Sequence, residues 1–171
     1  MTAGVVVMLL GAGSAASGAT AGGRALEGGV EPAYSLGFET FEAGKGYWFN
    51  CPPLTNRSSA PVEVLGAELV GAPAGWRTGE VRAVDWRGEP VGLGAYDETF
   101  ATTPVMREDR AKAPVRVEPG ERSTVWYMVR AEPRSASAAG RAAGCRFTYR
   151  SAQRVYTQEL SAGFSLGPLR G

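Results

Sequence analysis

The chain has 171 residues, of which 44% are hydrophobic and 20% are charged, and its formal net charge is +1. This length and apolar content suit one folded domain with its own core. The near-neutral charge argues against nucleic-acid binding, which usually shows a basic stripe. The absence of histidine, with only two cysteines, excludes Ser-His-Asp and Cys-His triads and a four-thiolate zinc site. We therefore expect a non-enzymatic protein without a cofactor.

The N-terminal residues have the pattern of an export signal. Val5 to Leu10 is a short apolar run, and small residues follow up to Ala19-Thr20-Ala21, which is an A-x-A cleavage pattern. No charge precedes Arg24, although a signal peptide normally begins with a basic residue. A membrane-anchor remnant and a disordered tail therefore stay open as alternatives, and we expect an extracytoplasmic protein, secreted or anchored.

The domain organisation follows from composition. We expect residues 1–23 to be the signal peptide or anchor remnant, residues 24–31 to be a Gly-rich linker, and residues 32–171 to be one domain. The membrane would be contacted only through an uncleaved anchor.

From residue 32 the chain is predicted to form short β-strands, because apolar and polar residues alternate between turn signals. In Pro61–Val70 the apolar phase changes after Val64, which predicts a bulge at Leu65-Gly66. No stretch has a sustained helical period, so we expect an all-β, antiparallel immunoglobulin-like β-sandwich of about seven strands with one disulfide. The predicted strand segments are Tyr34–Phe38, Lys45–Cys51, Pro61–Val70, Arg77–Trp86, Val91–Tyr96, Val115–Val117, Ser123–Ala131, Cys145–Arg150, Arg154–Leu160 and Ala162–Leu166.

Two segments interrupt the β pattern and are predicted as long loops. Asp97–Pro114 is polar and highly charged, and Glu132–Gly144 is of low complexity. Both are longer than common hairpin loops, so each is expected to be mobile or functional. We interpret the neighbouring carboxylates of the charged loop as solvated surface, not as the carboxylate pair of a glycosidase.

Cys51 and Cys145 are predicted to form a disulfide, because an exported chain oxidises such a pair. Two free buried cysteines and a redox pair are the alternatives, although a redox pair usually has C-x-x-C spacing. Cys51 ends a predicted strand before Pro52-Pro53, and Cys145 begins another. We expect the bridge to join antiparallel neighbours at one end of the sandwich.

Trp76, Trp86 and Tyr96 are the candidate ligand-binding residues. They lie in a Gly-rich region between weak strands, where exposed rings would stack on a sugar or a peptide. Core packing is the competing interpretation, because a sandwich needs large apolar residues to fill it. Asn56-Arg57-Ser58 matches the glycosylation pattern, and we interpret it instead as a polar turn held by side-chain hydrogen bonds.

Three segments resemble bacterial immunoglobulin-like and fibronectin-like domains: LTNRSSAPVEV (Leu54–Val64), VEPGERSTVWYMV (Val117–Val129) and the hairpin Arg146–Leu160. Ala143 stands where the tyrosine corner of a true immunoglobulin domain would be. The wider resemblance is to uncharacterised secreted or anchored actinobacterial proteins, and it implies no catalytic residue. We expect a binding or structural module of the cell envelope whose partner is another envelope protein, with carbohydrate binding as the alternative.

Overall fold

The computed structural model describes residues 21–28, 35–87 and 94–168. Strands make up 54% of these residues and helices 7%, so the fold is all-β. Residues 1–20 of the predicted signal and residues 91–93 of a predicted strand lie outside the described residues. The elements are β1 (Ala21–Gly22), β2 (Leu26–Glu27), β3 (Ser35–Phe38), β4 (Tyr47–Asn50), β5 (Thr55–Asn56), β6 (Val62–Val70), β7 (Trp76–Asp85), β8 (Ala95–Asp97), a 3-10 helix (Glu98–Thr102), α1 (Pro104–Arg107), β9 (Val115–Val117), β10 (Val125–Pro133), β11 (Gly140–Ser151) and β12 (Arg154–Leu166).

Two larger sheets contain ten of these strands. The first sheet has the order β1-β12-β11-β6-β9, and β3 also pairs with β12. The second sheet has the order β7-β10-β4-β8, and β2 pairs with β5 in a separate ribbon. Because β1 and β3 run parallel to β12, the first sheet is mixed. The expectation of a purely antiparallel fold is therefore wrong, and so is the expected number of about seven strands.

The facing sides of the two sheets share one hydrophobic core. Tyr127 of the second sheet meets Phe147 of the first edge to face, with ring centroids 5.8 Å apart. The tilted rings of Phe49 and Phe164 lie 5.1 Å apart, with an interplanar angle of 34°. The Tyr127 hydroxyl donates a hydrogen bond of 3.2 Å to the carbonyl of Val64, which satisfies it inside the core. These contacts fix how the second sheet packs on the first.

The predicted bulge in β6 is confirmed. Val64 pairs with Tyr149 and Gly66 pairs with Thr148, so the register skips Leu65. One extra residue reverses the side-chain phase of a strand. Val64 therefore points into the core, and Leu65 is only partly buried.

A disulfide between Cys51 and Cys145 joins the two sheets. Cys51 follows β4 of the second sheet, whereas Cys145 lies inside β11 of the first sheet and pairs with Leu69 and Leu160. The expectation that the bridge joins neighbouring strands is therefore wrong, because β4 and β11 belong to different sheets. Both cysteines are buried, and such a bond fits an extracytoplasmic location.

Most of the predicted loop Glu132–Gly144 is strand. β10 continues to Pro133 and β11 begins at Gly140, so the connection is only residues 134–139. The small residues have a packing reason, since a Cβ on Gly140 would lie 2.5 Å from Cγ of Pro73. A small residue at the start of β11 is therefore required by close packing against Pro73.

The described part of the predicted linker packs on the domain. The side chain of Leu26 is buried in the core, and the backbone N–H of Ala25 donates to the Tyr149 hydroxyl at 3.1 Å. The predicted cleavage point after Ala21 falls within β1. No helix formed by the described residues is long and apolar enough to cross a membrane.

The turn interpretation of Asn56 is confirmed. Its amide nitrogen donates to the carbonyls of Ala60 at 2.9 Å and Val117 at 3.0 Å, and its oxygen accepts from the backbone N–H of Ser58 at 3.0 Å. The side chain is completely buried, so it serves as the scaffold of the corner before β6.

Replacing both Cys51 and Cys145 with alanine is expected to lower the free energy of unfolding substantially. The bond closes a sequence separation of 94 residues, and chain entropy for such a loop gives about 4 to 5 kcal/mol as an upper value. Urea denaturation of the oxidised wild type and the double variant measures the difference. Adding a reductant should destabilise the wild type alone, and equal stabilities would contradict the prediction.

Candidate functional site

Trp76 belongs to the core. Its side chain is 4% exposed, and its ring is stacked with that of Phe49 at a centroid distance of 6.2 Å. The indole Nε1–H donates to the carbonyl of Ala138 at 2.7 Å. Because the ring is buried and its donor is paired inside the protein, Trp76 offers no exposed ring to a ligand.

Trp86 and Tyr96 lie together on the outer side of the second sheet, where they meet Phe100. The ring of Phe100 stacks on Tyr96 at 4.0 Å and on Trp86 at 6.1 Å, with interplanar angles of 15° and 14°. Phe100 comes from the charged segment Asp97–Pro114. The two regions that the sequence singled out separately therefore form one aromatic cluster.

The outer face of the second sheet carries a second apolar cluster, separate from the main core. Its buried members come from β4, β7, β10 and α1, and partly buried aromatic residues surround them. We call residues 98–107, which comprise the 3-10 helix and α1, the strap, because they cover this face. The buried members are Trp48, Val84, Met106 and Met128.

Arg82 of β7 anchors the strap. Its Nη1 donates to the carbonyls of Ala101 and Met106, each at 3.1 Å. These carbonyls lie in the two short helices, where the last turns leave acceptors unused. The guanidinium carbon also lies 4.9 Å from the ring centroid of Trp48, within cation–π range. One side chain thus holds both helical turns against the aromatic cluster.

Arg130 of β10 holds the beginning of the strap. It forms an ion pair with Glu98 and a second one with Glu132 at 2.9 Å, while its side chain is only 18% exposed. Burial would lower the pKa of Arg130, but the hydrogen bonds that its guanidinium donates to both carboxylates outweigh burial and raise it. The charge is therefore kept at the edge of the apolar cluster by its partners.

The chain that follows the strap closes the edge of β7. The backbone N–H of Ala83 donates to Asp109 Oδ1 at 3.0 Å, and the backbone N–H of Arg110 donates to the carbonyl of Ala83 at 2.8 Å. Ala83 is thereby bonded on the free side of an edge strand. This attachment places residues 109–113 beside the end of the sandwich.

A basic cleft of about 480 Å³ opens between residues 109–117 and residues 121–125. Apolar residues, among them Pro114 and Val115, form part of its wall. Its lining contains two carboxylates, Asp109 and Glu121, and a larger set of cations. These cations are Arg87, Arg110, Lys112, Arg116 and Arg122.

Asp85 neutralises two of the cations. Its carboxylate lies 3.0 Å from Arg87 and 3.3 Å from Arg110. Burial would raise the pKa of Asp85, but hydrogen bonds from Arg87 and Thr124 outweigh burial and hold it below its ordinary value of 3.8. Asp85 therefore stays ionised and fixes one wall of the cleft.

Lys112 and Arg122 are the cleft cations without an ion pair among the described carboxylates. Arg116, by comparison, pairs with Glu118 at 2.5 Å. The guanidinium carbon of Arg122 lies 6.0 Å from the ring centroid of Trp126, at the limit of a cation–π contact. Both unpaired side chains are exposed. They are free to meet an anionic ligand.

No local pattern in the sequence indicated this cleft. Its cations are spread from position 87 to position 122, and only the fold brings them together. The strap had a weak signal, because Phe100, Val105 and Met106 are large apolar residues in an otherwise polar segment.

Within the described ranges, no three histidine, cysteine, aspartate or glutamate residues are grouped so that they would hold a metal ion. Comparison with known proteins found no family model that matches the chain, and no curated protein matches it. We therefore infer the function from the geometry of the cleft and of the strap.

We expect Trp76→Phe to destabilise the protein by about 1 to 3 kcal/mol, because it removes the indole donor and leaves the buried carbonyl of Ala138 unpaired. Trp86→Phe is the matched control, since the Trp86 indole nitrogen has no hydrogen-bond partner among the described residues. Chemical denaturation measures both variants. Equal losses would show that the Trp76 hydrogen bond contributes nothing beyond ring size.

Asp85 makes stability depend on pH in the acid range. Its folded pKa is lower than its unfolded pKa, so ionised Asp85 stabilises the protein above the unfolded value of about 3.9. This stabilisation is lost as the pH falls through the folded pKa. Asp85→Asn should therefore flatten the fall of the unfolding free energy below about pH 4. Exposed Glu39→Gln is the control, and a parallel fall in wild type and Asp85→Asn would refute the assignment.

Proposed function

We propose that this chain is a non-enzymatic, extracytoplasmic binding module of the bacterial cell envelope, and that the basic cleft takes an acidic segment of another envelope protein. The observation that carries the proposal is an excess of positive charge in the cleft, where five cations face two lining carboxylates and two neighbouring carboxylates, Asp85 and Glu118. Lys112 and Arg122 add most to it, because neither is paired. Such a site favours an acidic partner by charge complementarity.

A peptide fits the cleft better than a nucleic acid. The wall combines cations with apolar Pro114 and Val115 and with two carboxylates, Asp109 and Glu121. A polypeptide offers apolar, acidic and basic groups to match such a wall, whereas a nucleic-acid backbone carries uniform negative charge. The volume also lies in the range of ordinary ligand sites.

The location and the fold family are part of the proposal. The buried bond between Cys51 and Cys145 supports an oxidising compartment. The pattern of residues 1–23 supports export. Two sheets with a common core and a disulfide between them support an immunoglobulin-like sandwich, although the parallel pairing of β1 and β3 departs from the simplest form.

Carbohydrate binding is the alternative and has less support. With Trp76 in the core, it depends on Trp86 and Tyr96 alone. Each of these rings already stacks on Phe100 and is only partly exposed. A sugar would therefore find less free aromatic surface than the sequence suggested.

The test compares two double variants of equal charge change. Lys112→Glu with Arg122→Glu reverses the unpaired cleft cations, whereas Arg134→Glu with Arg154→Glu reverses exposed arginines outside the cleft. The probe is a short synthetic peptide in which glutamate and valine alternate, and binding is followed by calorimetry at low salt. We expect the cleft variant to bind about tenfold or more weakly, and the control to bind almost as wild type.

Three results would contradict the proposal. They are failure of the wild type to bind the acidic peptide, equal weakening in both double variants, and equally tight binding of single-stranded DNA. Binding of a glycan that survives the cleft reversals but is lost in folded Trp86→Ala would favour the carbohydrate alternative.

A further inference from the structure

The strap is lightly attached compared with the sheets. Met106 is its only fully buried side chain, and half of its residues are exposed. Its polar attachments are mainly two hydrogen bonds from Arg82 and the ion pair between Glu98 and Arg130. Segments with few buried apolar contacts open at lower free energy than the core around them. Local release of the strap is therefore expected to cost less free energy than separating the sheets, and it uncovers an apolar surface.

The strap covers a surface with a defined chemical character. Trp48, Val84 and Met128 form its apolar floor. Arg82 and Arg130 stand at its border, and each would lose partners if the strap left. The uncovered face would thus combine an apolar floor with two guanidinium groups that have each lost strap partners and keep only carboxylates of the sheet, Glu80 for Arg82 and Glu80 with Glu132 for Arg130.

The strap leaves this site incompletely satisfied. The indole nitrogens of Trp48 and Trp86 are buried without a hydrogen-bond partner among the described residues. An unpaired buried donor is costly, and most native donors find a partner. A segment that carried an acceptor to either indole would therefore satisfy a donor that the strap does not.

We propose that the strap is an exchangeable, autoinhibitory occupant of a second binding site, and that a segment of a partner protein displaces it. The partner segment supplies an apolar side chain in the place of Met106, an aromatic ring in the place of Phe100 and a carboxylate for Arg130 in the place of Glu98. That the occupant is a partner protein rests on the proposed function. That the strap is exchangeable rests on its own contacts.

The strap site and the basic cleft are continuous along the chain. The strap ends at Arg107, and Asp109 already lines the cleft. The unpaired cations of the cleft and the two arginines under the strap all favour carboxylates. One acidic partner segment with a few large apolar residues would suit both places.

The experiment replaces residues 98–107 with a Gly/Ser linker of equal length and leaves the rest of the chain intact. The probe is a synthetic peptide with the sequence of the strap, ETFATTPVMR. We expect it to bind the linker variant saturably and to bind the wild type at least about tenfold more weakly, because the tethered strap competes at high effective concentration. The control peptide carries serine at the positions of Phe100 and Met106 and should not bind.

A folded linker variant that does not bind the strap peptide would overturn the proposal. If the linker variant does not fold, hydrogen exchange on the full chain tests whether the strap opens independently of the sheets. Strap amides should exchange faster than those of β10, and Glu98→Gln should accelerate them further while leaving β10 unchanged. Exchange of the strap and β10 at one common rate would mean that the strap opens only with global unfolding, and the proposal would fail.

The two proposals fail separately. Lys112→Glu with Arg122→Glu should leave binding of the strap peptide to the linker variant within about twofold, since both residues line the cleft and neither is among the residues that hold the strap. If the acidic peptide did not bind the wild type but the strap peptide still bound the linker variant, the cleft proposal would be refuted and the strap proposal would stand.

Discussion

The structure depends on one constraint, which is that the second sheet is apolar on both faces. All four residues of β4 are buried, and so are eight of the nine residues of β10. Tyr127 points into the main core, while its neighbour Met128 points into the outer cluster. Such a sheet needs a cover on each side. The first sheet supplies one cover, and the strap supplies the other.

The two covers differ in strength. The first sheet is attached through aromatic contacts and a covalent bond at Cys51 and Cys145. The strap depends on one buried methionine, on partly buried Phe100, Ala101 and Val105, and on polar contacts to Arg82 and Arg130. The chain therefore combines a permanently closed inner face with an outer face whose cover consists of one short segment.

Much of the fold could be predicted from local patterns. Alternation identified β6, β10 and the second half of β11, and the phase change before Gly66 identified a real bulge. Patterns of this kind are visible because side-chain direction has a period of two within a strand. The sequence did not show which sheet each cysteine joins, because sheet membership is set by long-range pairing. Gly140–Gly144 was wrongly predicted to be loop, because a strand built of small, closely packed residues resembles a linker in composition.

The candidate site was only partly foreseeable for a related reason. Trp86, Tyr96 and the charged segment were recognised as unusual. Their contacts through Phe100 could not be predicted, because only the tertiary fold brings these rings together. The basic cleft was hidden by a net charge of +1, because a total says nothing of how charges are distributed. Opposite charges elsewhere, such as the pairs of Arg146 with Glu68 and Glu159 across the first sheet, balance the excess of cations in the cleft.

The strand order has a consequence for how molecules of this protein meet one another. The outermost strands of the first sheet are short: β1 has two residues, β3 has four and β9 has three. In the second sheet β8 has three, and β7 is interrupted at Gly79, whose φ of 125° accompanies a register shift opposite β10. Short and bulged borders offer little backbone for joining sheets between molecules. Edge-to-edge association of sheets from different molecules is therefore disfavoured by the short border strands, even at high protein concentration. Contacts between molecules then depend on side chains.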